Sequence, residues 1–222
     1  MRPLPFGDNY PRLYSFGNGD RDLWFNNTTL NSSKLRASNG ATNNRAISAT
    51  TLNESTWYHV VVTFGGGTSG DTIIYLNGAN DNASATKTSS PAAIETVNST
   101  IGGLSGTGFN YKGNMCDMAV WDKELSPAEV AEIYGSGTRV YLKGVSCTPN
   151  LLSWWRMGSD PRDTYNGLIY DQEGNRNATP TNLEEADLEN VSPAWGGAYA
   201  AFVPGTNRNL YWHRYIEERT SA

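Results

Sequence analysis

Carboxylates crowd one short stretch of the chain, Glu185-Ala186-Asp187-Leu188-Glu189. On a β-strand, alternation would set Glu185, Asp187 and Glu189 on one face. Two such carboxylates held about 5 Å apart act as nucleophile and acid/base in a retaining glycoside hydrolase. The flanks oppose that reading, because Thr181-Asn182 and Asn190 have loop character and Ala186 is small. An acidic turn in solvent fits the same residues. A second set is Asp71, Asn77, Asn80, Asp81 and Asp117, oxygen donors of the kind calcium takes. Their spacing is not that of an EF-hand, and loop Asp and Asn commonly stabilise turns. Asp117, inside a strand, also suits an orienting hydrogen bond. A third set is Tyr111, Trp154, Trp155 and Trp195, whose rings could stack on sugar faces. Trp154 and Trp155 are adjacent, so on a strand they point to opposite faces. Trp57 and Trp121 read as core residues.

Other chemistries find no support. No nucleophilic triad can be assembled, and His59 sits inside an apolar strand, where a lone histidine is packed and hydrogen-bonded. Gly65-Gly66-Gly67 follows a strand but precedes no helix start, so it is not a phosphate cradle. Two cysteines, Cys116 and Cys147, do not make a disulfide framework. With only His59 and His213 beside them, they do not make a zinc site either. Cys116 reads as a small buried hydrophobe.

Charge and composition narrow the class further. The 222 residues carry a net charge of −5 with no basic block, which argues against a nucleic-acid partner. No apolar run approaches the roughly 18 residues that span a bilayer. The start, MRPLPFGDNYPRL, lacks the apolar middle of a signal peptide. It is therefore expected to belong to a chain not exported by that route, to a fragment, or to a particle component released by lysis. Leu, Ile and Val are sparse while 7 Trp and 12 Tyr are present, so rings must supply much of the core.

The elements that would position these residues are mostly strands. Residues 13–16, 22–25, 34–38 and 46–52 are four short candidates separated by Asn/Gly turns. Trp57 to Phe64 (WYHVVVTF) is the strongest, apolar on both faces and expected to be central in a sandwich. It pairs as a hairpin with Thr72 to Leu76, which ends at Asn77-Gly78, a type I′ turn signal. Ala83 to Thr88 is a polar edge strand, and Thr100 to Leu104 follows. Met115 to Trp121 reads as one buried strand. Ser126 then stands at a helix N-cap, with Pro127 at the first helical position and Glu129 three residues after the cap. This is a capping box opening a helix over 126–134, closed by Gly135 in a left-handed turn. The helix is expected to plug a corner of the sandwich. Leu210 to Arg219 has the spacing of a short amphipathic helix.

WYHVVVTF, IYLNG, IGG, the strand GNMCDMAVWD and the helix LSPAEVAEIY, in that order over residues 45–137, resemble a LamG-like jelly roll. That is the laminin-G branch of the concanavalin A-like lectin/glucanase sandwiches. The resemblance implies an all-β fold of two antiparallel sheets with the short helix after the core strands. LLSWWRMG, LIYDQ and GNRNATPT, at 151–181, resemble the opening of such a domain but here follow its core. The layout implied is a sandwich over 1–205, completed by strands at 151–181, and a C-terminal arm over 206–222 with helical character. A circular permutation and an excerpt from a longer modular array both fit. Together with NLYWHRYIEERTSA, the layout is similar to LamG-bearing structural proteins of marine tailed phages. That implies a non-enzymatic structural or adhesion module of a virion, assembled in the host cytoplasm. Its implied partners are neighbouring subunits or host-surface glycan, in an oligomer or larger assembly. No cofactor is required, and calcium is the one ion the resemblance brings into view, since related sandwiches bind it through loop oxygens. The rival classes are a glucanase-like hydrolase using Glu185 and Glu189, and a secreted carbohydrate-binding module.

Overall fold

The computed structural model describes residues 1–3, 10–16, 21–26, 33–39, 45–54, 56–65, 72–86, 99–104, 109–174, 176–181, 183–189, 201–202 and 209–211. The strands are β1 (Arg2–Pro3), β2 (Arg12–Phe16), β3 (Arg21–Asn26), β4 (Lys34–Asn39), β5 (Arg45–Ser48), β6 (Val60–Phe64), β7 (Thr72–Leu76), β8 (Ala79–Asn80) and β9 (Asn82–Thr86). They continue with β10 (Thr100–Ile101), β11 (Gly113–Asn114), β12 (Met118–Trp121), β13 (Leu151–Trp155), β14 (Thr179–Thr181), β15 (Leu188–Glu189), β16 (Ala201–Phe202) and β17 (Asn209–Tyr211). The helix α1 is Pro127–Tyr134.

Eight strands form the first sheet, in the order β14-β17-β10-β2-β3-β4-β5-β9, with antiparallel neighbours throughout. Its inner face carries a row of directly opposed residues: Ile101, Tyr14, Leu23, Ala37 and Ala46. All five are buried. Small alanines on β4 and β5 let the second layer approach, and β7 lies over both strands.

The second layer is β6-β7-β8 together with the pair β12-β13. Period-two alternation splits its side chains between two cores. Val60, Val62, Phe64, Ile74, Leu76, Met118, Val120 and Trp155 face the first sheet. Val61, Ile73, Tyr75, Ala119, Trp121, Leu151 and Trp154 face outward onto a second cluster. A register shift between Val120 and Trp121 puts Leu151 and Trp154 on the same side. Val130 and Ile133 of α1, with Leu125, Leu142, Val145 and Cys147, cap that outer cluster.

Most local expectations are met. Asn77 and Gly78 have φ of 50° and 82°, the two positive values a type I′ turn demands. A Cβ on Gly78 would meet the Tyr134 ring at 2.6 Å, so the turn and the end of α1 are packed as one unit. β9 closes one end of the first sheet, as a polar strand should. Trp154 and Trp155 do enter different cores. Both cysteines are free.

Three expectations change. β6 spans only Val60–Phe64 and pairs with β7, while Tyr58, just before it, is held by Met1 through two backbone hydrogen bonds of 2.7 and 2.8 Å, so the expected strand is shorter than Trp57 to Phe64. Both its faces are still covered, by the two cores. The stretch Met115 to Trp121 is not one strand: Asp117 has φ of 51°, and this left-handed step separates β11 from β12. At the C-terminal side, Asn209–Tyr211 is a strand lodged between β10 and β14, where an arm was expected. The rest of the proposed amphipathic helix, from 212 onward, lies outside the described residues.

Ser126 caps α1 as expected. Its Oγ accepts the Glu129 N–H at 3.3 Å, and the Glu129 carboxylate accepts the Ser126 N–H at 2.8 Å. Lys123 Nζ donates to Glu129 at 2.7 Å. This hydrogen bond is the largest cause holding the Glu129 carboxyl at about 2, below its usual 4.5, with the Ser126 bonds adding to it. Ser126→Ala should lower stability by about 1 kcal/mol in urea denaturation. A depressed carboxyl stabilises the fold above its unfolded pKa and loses that contribution as pH falls. The stability gap between wild type and Glu129→Gln should therefore be full above pH 4.5 and close as pH falls toward 2. A gap constant over that window would contradict the capping geometry.

Candidate functional site

The acidic stretch does not form the strand that hydrolysis would need. Glu185–Asp187 is a 3-10 turn, and only Leu188–Glu189 is extended. Glu185 is exposed, while Asp187 is buried and accepts the Glu184 N–H at 2.8 Å. Alternation therefore does not bring Glu185, Asp187 and Glu189 to one face. The turn arises because Asp187 closes back on Glu184 as a local cap.

The oxygen-donor set does not converge either. Asn77 Oδ1 accepts the His59 N–H and Asn80 Oδ1 the Asn82 N–H, both at 3.0 Å. Asp81 holds Thr50 through its N–H at 3.1 Å and its hydroxyl at 2.7 Å. Each closes a turn. Asp71 lies outside the described residues. Among the described residues, no group of three His, Cys, Asp or Glu is placed to hold a metal ion.

Asp117 organises a different site. Its carboxylate is ion-paired with the Arg139 guanidinium, whose Nη2 donates at 2.6 Å, and it also accepts Trp154 Nε1 at 3.0 Å. Arg139 further donates to Ser159 Oγ at 2.9 Å. The left-handed backbone at Asp117 aims its carboxylate at these partners, and Asp tolerates that conformation better than most residues. Tyr141 rests edge-on against Trp154, with ring centroids 5.4 Å apart, and is itself exposed. This network joins β12, β13 and the segment after α1.

The expected aromatic platform is inside the protein. Tyr111, Trp154 and Trp155 are 0%, 2% and 1% exposed. Tyr111 stacks on Phe25, and Trp155 Nε1 donates to the Arg176 carbonyl at 2.7 Å. They pack the cores because rings must fill volume that aliphatic residues do not. Trp195 lies outside the described residues. The late motif around LIYDQ is likewise structural. Asp171 Oδ1 accepts the N–H groups of Trp154 and Glu173, and Asp163 accepts those of Gly158 and Tyr170. Asp160 binds Arg162 and Gln172. The Arg162 hydrogen bond holds Asp160 well below the usual carboxylate range, while burial raises Asp163.

Two surfaces went unnoticed in the sequence. The first is an open trough of about 500 Å³ beside the start of α1. Half-buried Ile73 of β7 supplies the apolar floor beside the buried Tyr75, and Lys123, Glu124, Ser126 and Glu129 supply donors and acceptors around it. Burial, then the Glu124 charge, raises the Tyr75 hydroxyl. The helix expected as a plug thus also forms a wall. The second surface is a row across the outer face of the first sheet: Arg12, Trp24, Arg36, Ile47. The Arg12 and Arg36 guanidiniums lie 4.6 and 5.6 Å from the Trp24 ring centroid. The signal for it is the alternation of Arg with apolar residues in β4 and β5, which gains meaning only once the register is known.

Two packed antiparallel layers with a capping helix define a jelly-roll sandwich of the lectin type. A profile of the laminin-G kind, from the concanavalin A-like lectin/glucanase superfamily, matches residues 1–131. That is more than half of the chain, so the chain belongs to this superfamily. The match begins well before residue 45 and takes in the first four strands of the eight-stranded sheet's centre. Among curated proteins, none matches in sequence. A crystal structure at 1.50 Å from Bacteroides ovatus ATCC 8483, of a protein provisionally assigned to carbohydrate binding, superposes with a TM-score of 0.59. Sequence identity is 17%, and the alignment covers 80% of this chain and 49% of the other. The likeness shows the shared fold, and the chain spans about half the length of that neighbour. No described helix is long and apolar enough to cross a membrane.

The Asp117 network makes a stability prediction. Arg139→Met would leave the Asp117 carboxylate half-buried without its cation, at a cost of about 2 to 3 kcal/mol. Asp117→Asn added to it should recover part of that loss, because Asn keeps the left-handed backbone and still accepts from Trp154. Chemical denaturation of the two single variants and the double variant measures the coupling; strict additivity would contradict it.

Proposed function

We propose that the chain is a glycan-binding module that holds carbohydrate without cleaving it, and that the trough beside α1 is its contact surface. The observation that carries this reading is the trough's make-up. The half-buried Ile73 offers an apolar contact to the carbon face of a sugar ring, with Tyr75 packed in the core beside it. Lys123, Glu124 and Ser126 around it offer donors and acceptors of both signs to hydroxyl groups. Family membership supports the reading, as does the structural neighbour's provisional carbohydrate assignment. The non-catalytic part is supported by Glu185 and Glu189 not sharing a strand face. The virion setting implied by the sequence resemblance draws no support from the family match or the structural neighbour, and it is not needed for this function.

A glycan array should identify bound sugars, and titration calorimetry should then give their affinities. Lys123→Ala combined with Glu124→Ala should weaken the best ligand by about tenfold, as expected for losing one or two polar contacts. No reducing ends should be released on incubation. Unchanged affinity in the double variant would move the contact surface elsewhere, and sugar release abolished by Glu185→Gln would make the protein a hydrolase.

A further inference from the structure

The second layer carries a gap one strand wide, between β6 and β12. Met1 and Tyr58 exchange backbone hydrogen bonds of 2.7 and 2.8 Å, the antiparallel pattern, and β1 pairs antiparallel with β11 on its other side. β6 continues from Tyr58, and β12 continues from β11. The two therefore run parallel, with one strand spacing on each side of the β1 line, roughly 9.5 Å apart in all. Extended past Met1, that line passes between them. Bonds on the far edges show which backbone groups face it. The Asn77 N–H donates to the His59 carbonyl, so His59, Val61 and Thr63 turn their polar groups to β7. Val60, Val62 and Phe64, like Tyr58, turn theirs to the gap. Trp154 donates its N–H to Asp171, and its carbonyl accepts the Gln172 N–H, both away from β12. Its opposite residue, Ala119, therefore also turns to the gap. Among the described residues, no strand pairs with either edge there.

The side chains around the gap call for the same occupant. β12 is half-buried throughout, and so is β6 except for Thr63, although both strands lie between two cores. On the outer-cluster side, His59 Nδ1, Thr63 Oγ1 and Trp121 Nε1 are buried without a hydrogen-bond partner. Thr63 is only 4% exposed. Buried polar atoms of this kind cost free energy until something bonds them. We propose that the gap is a docking slot for an extended strand donated by another polypeptide, running antiparallel to β6. The Met1–Tyr58 pair sets its register. Residues opposite Val60, Val62 and Phe64 face the first sheet and must be apolar. The residue opposite Thr63 faces the outer cluster and must be Ser or Thr, whose hydroxyl can bond Thr63 Oγ1. Backbone bonds to both edges supply affinity, and the alternating side chains supply specificity. A helix, about 10 to 12 Å across with its side chains, is too thick for the space. The slot stands apart from the trough beside α1 and does not depend on glycan binding there.

The probe is the end-blocked peptide Val-Thr-Ile-Ser-Val, with one lysine ahead of it for solubility. It is titrated against the full chain and followed by amide hydrogen exchange and thermal unfolding. Without peptide, the Val60, Val62, Phe64 and Ala119 amides should exchange at least about tenfold faster than those of Val61 and Thr63, which bond to β7. With peptide, the same amides should slow by at least about tenfold, and the thermal midpoint should rise with peptide concentration. Methylating the peptide's isoleucine nitrogen removes its bond to the Val62 carbonyl and should weaken binding about tenfold. The protein is unchanged in that comparison, so folding does not confuse it. Thr63→Val should weaken binding severalfold while the midpoint of the free chain holds or rises, since an orphaned hydroxyl is removed. Slow exchange at the gap-facing amides of the free chain overturns the proposal, as does no slowing by peptide, or equal binding of the methylated and unmethylated peptides. Protection that grows with protein concentration alone makes the occupant a second copy. A strand that docks only when joined ahead of Met1 makes it part of the same chain. Either result overturns a separate partner.

Discussion

The strands of the second layer are apolar on both faces, so the molecule must cover them twice. Val60, Val62 and Phe64 are covered by the first sheet, and Val61 by the outer cluster. The same division runs through Ile74 against Tyr75, Val120 against Trp121 and Trp155 against Trp154. Everything outside the two layers follows from this need. The helix, the 3-10 turns after it and the ion pair of Asp117 with Arg139 hold a lid over what would otherwise be an exposed apolar sheet. Aromatic rings do much of the filling, because the chain has few branched aliphatic residues to spare.

This arrangement explains why the aromatic pair is structural. Adjacent tryptophans on β13 reach both cores from one strand, and each indole N–H finds an acceptor, Asp117 for Trp154 and the Arg176 carbonyl for Trp155. A ring used in this way has no face left for a ligand. An open trough is left where the lid meets the sheet.

What could be read from the sequence was local or periodic. Ser126, Pro127, Glu129 and Gly135 specify the helix within ten residues, and Asn77-Gly78 specifies its turn within two. The opposite orientations of Trp154 and Trp155 follow from geometry alone. What escaped depended on register between distant segments. Arg36 and Arg45 are ordinary surface arginines until the β4–β5 pairing sets them diagonally. The break at Asp117 also escaped, since the partner its carboxylate meets there, Arg139, is 22 residues away. Glu185 to Glu189 failed in the reverse direction: a spacing that suits a strand was overridden by Asp187 capping its own turn. The sheet's four early strands, weak one by one, gain their stability from each other and from the alanine row that admits β7.

The position of β17 shapes how the molecule must be made. Its three residues lie between β10, formed from residues 100–101, and β14, formed from residues 179–181. During synthesis both neighbours emerge before the strand that joins them. Each therefore presents a free edge until residue 211 has left the ribosome. Folding of this sheet is consequently bound to a long-range event of high contact order, which slows it and leaves a window in which another chain can pair there instead.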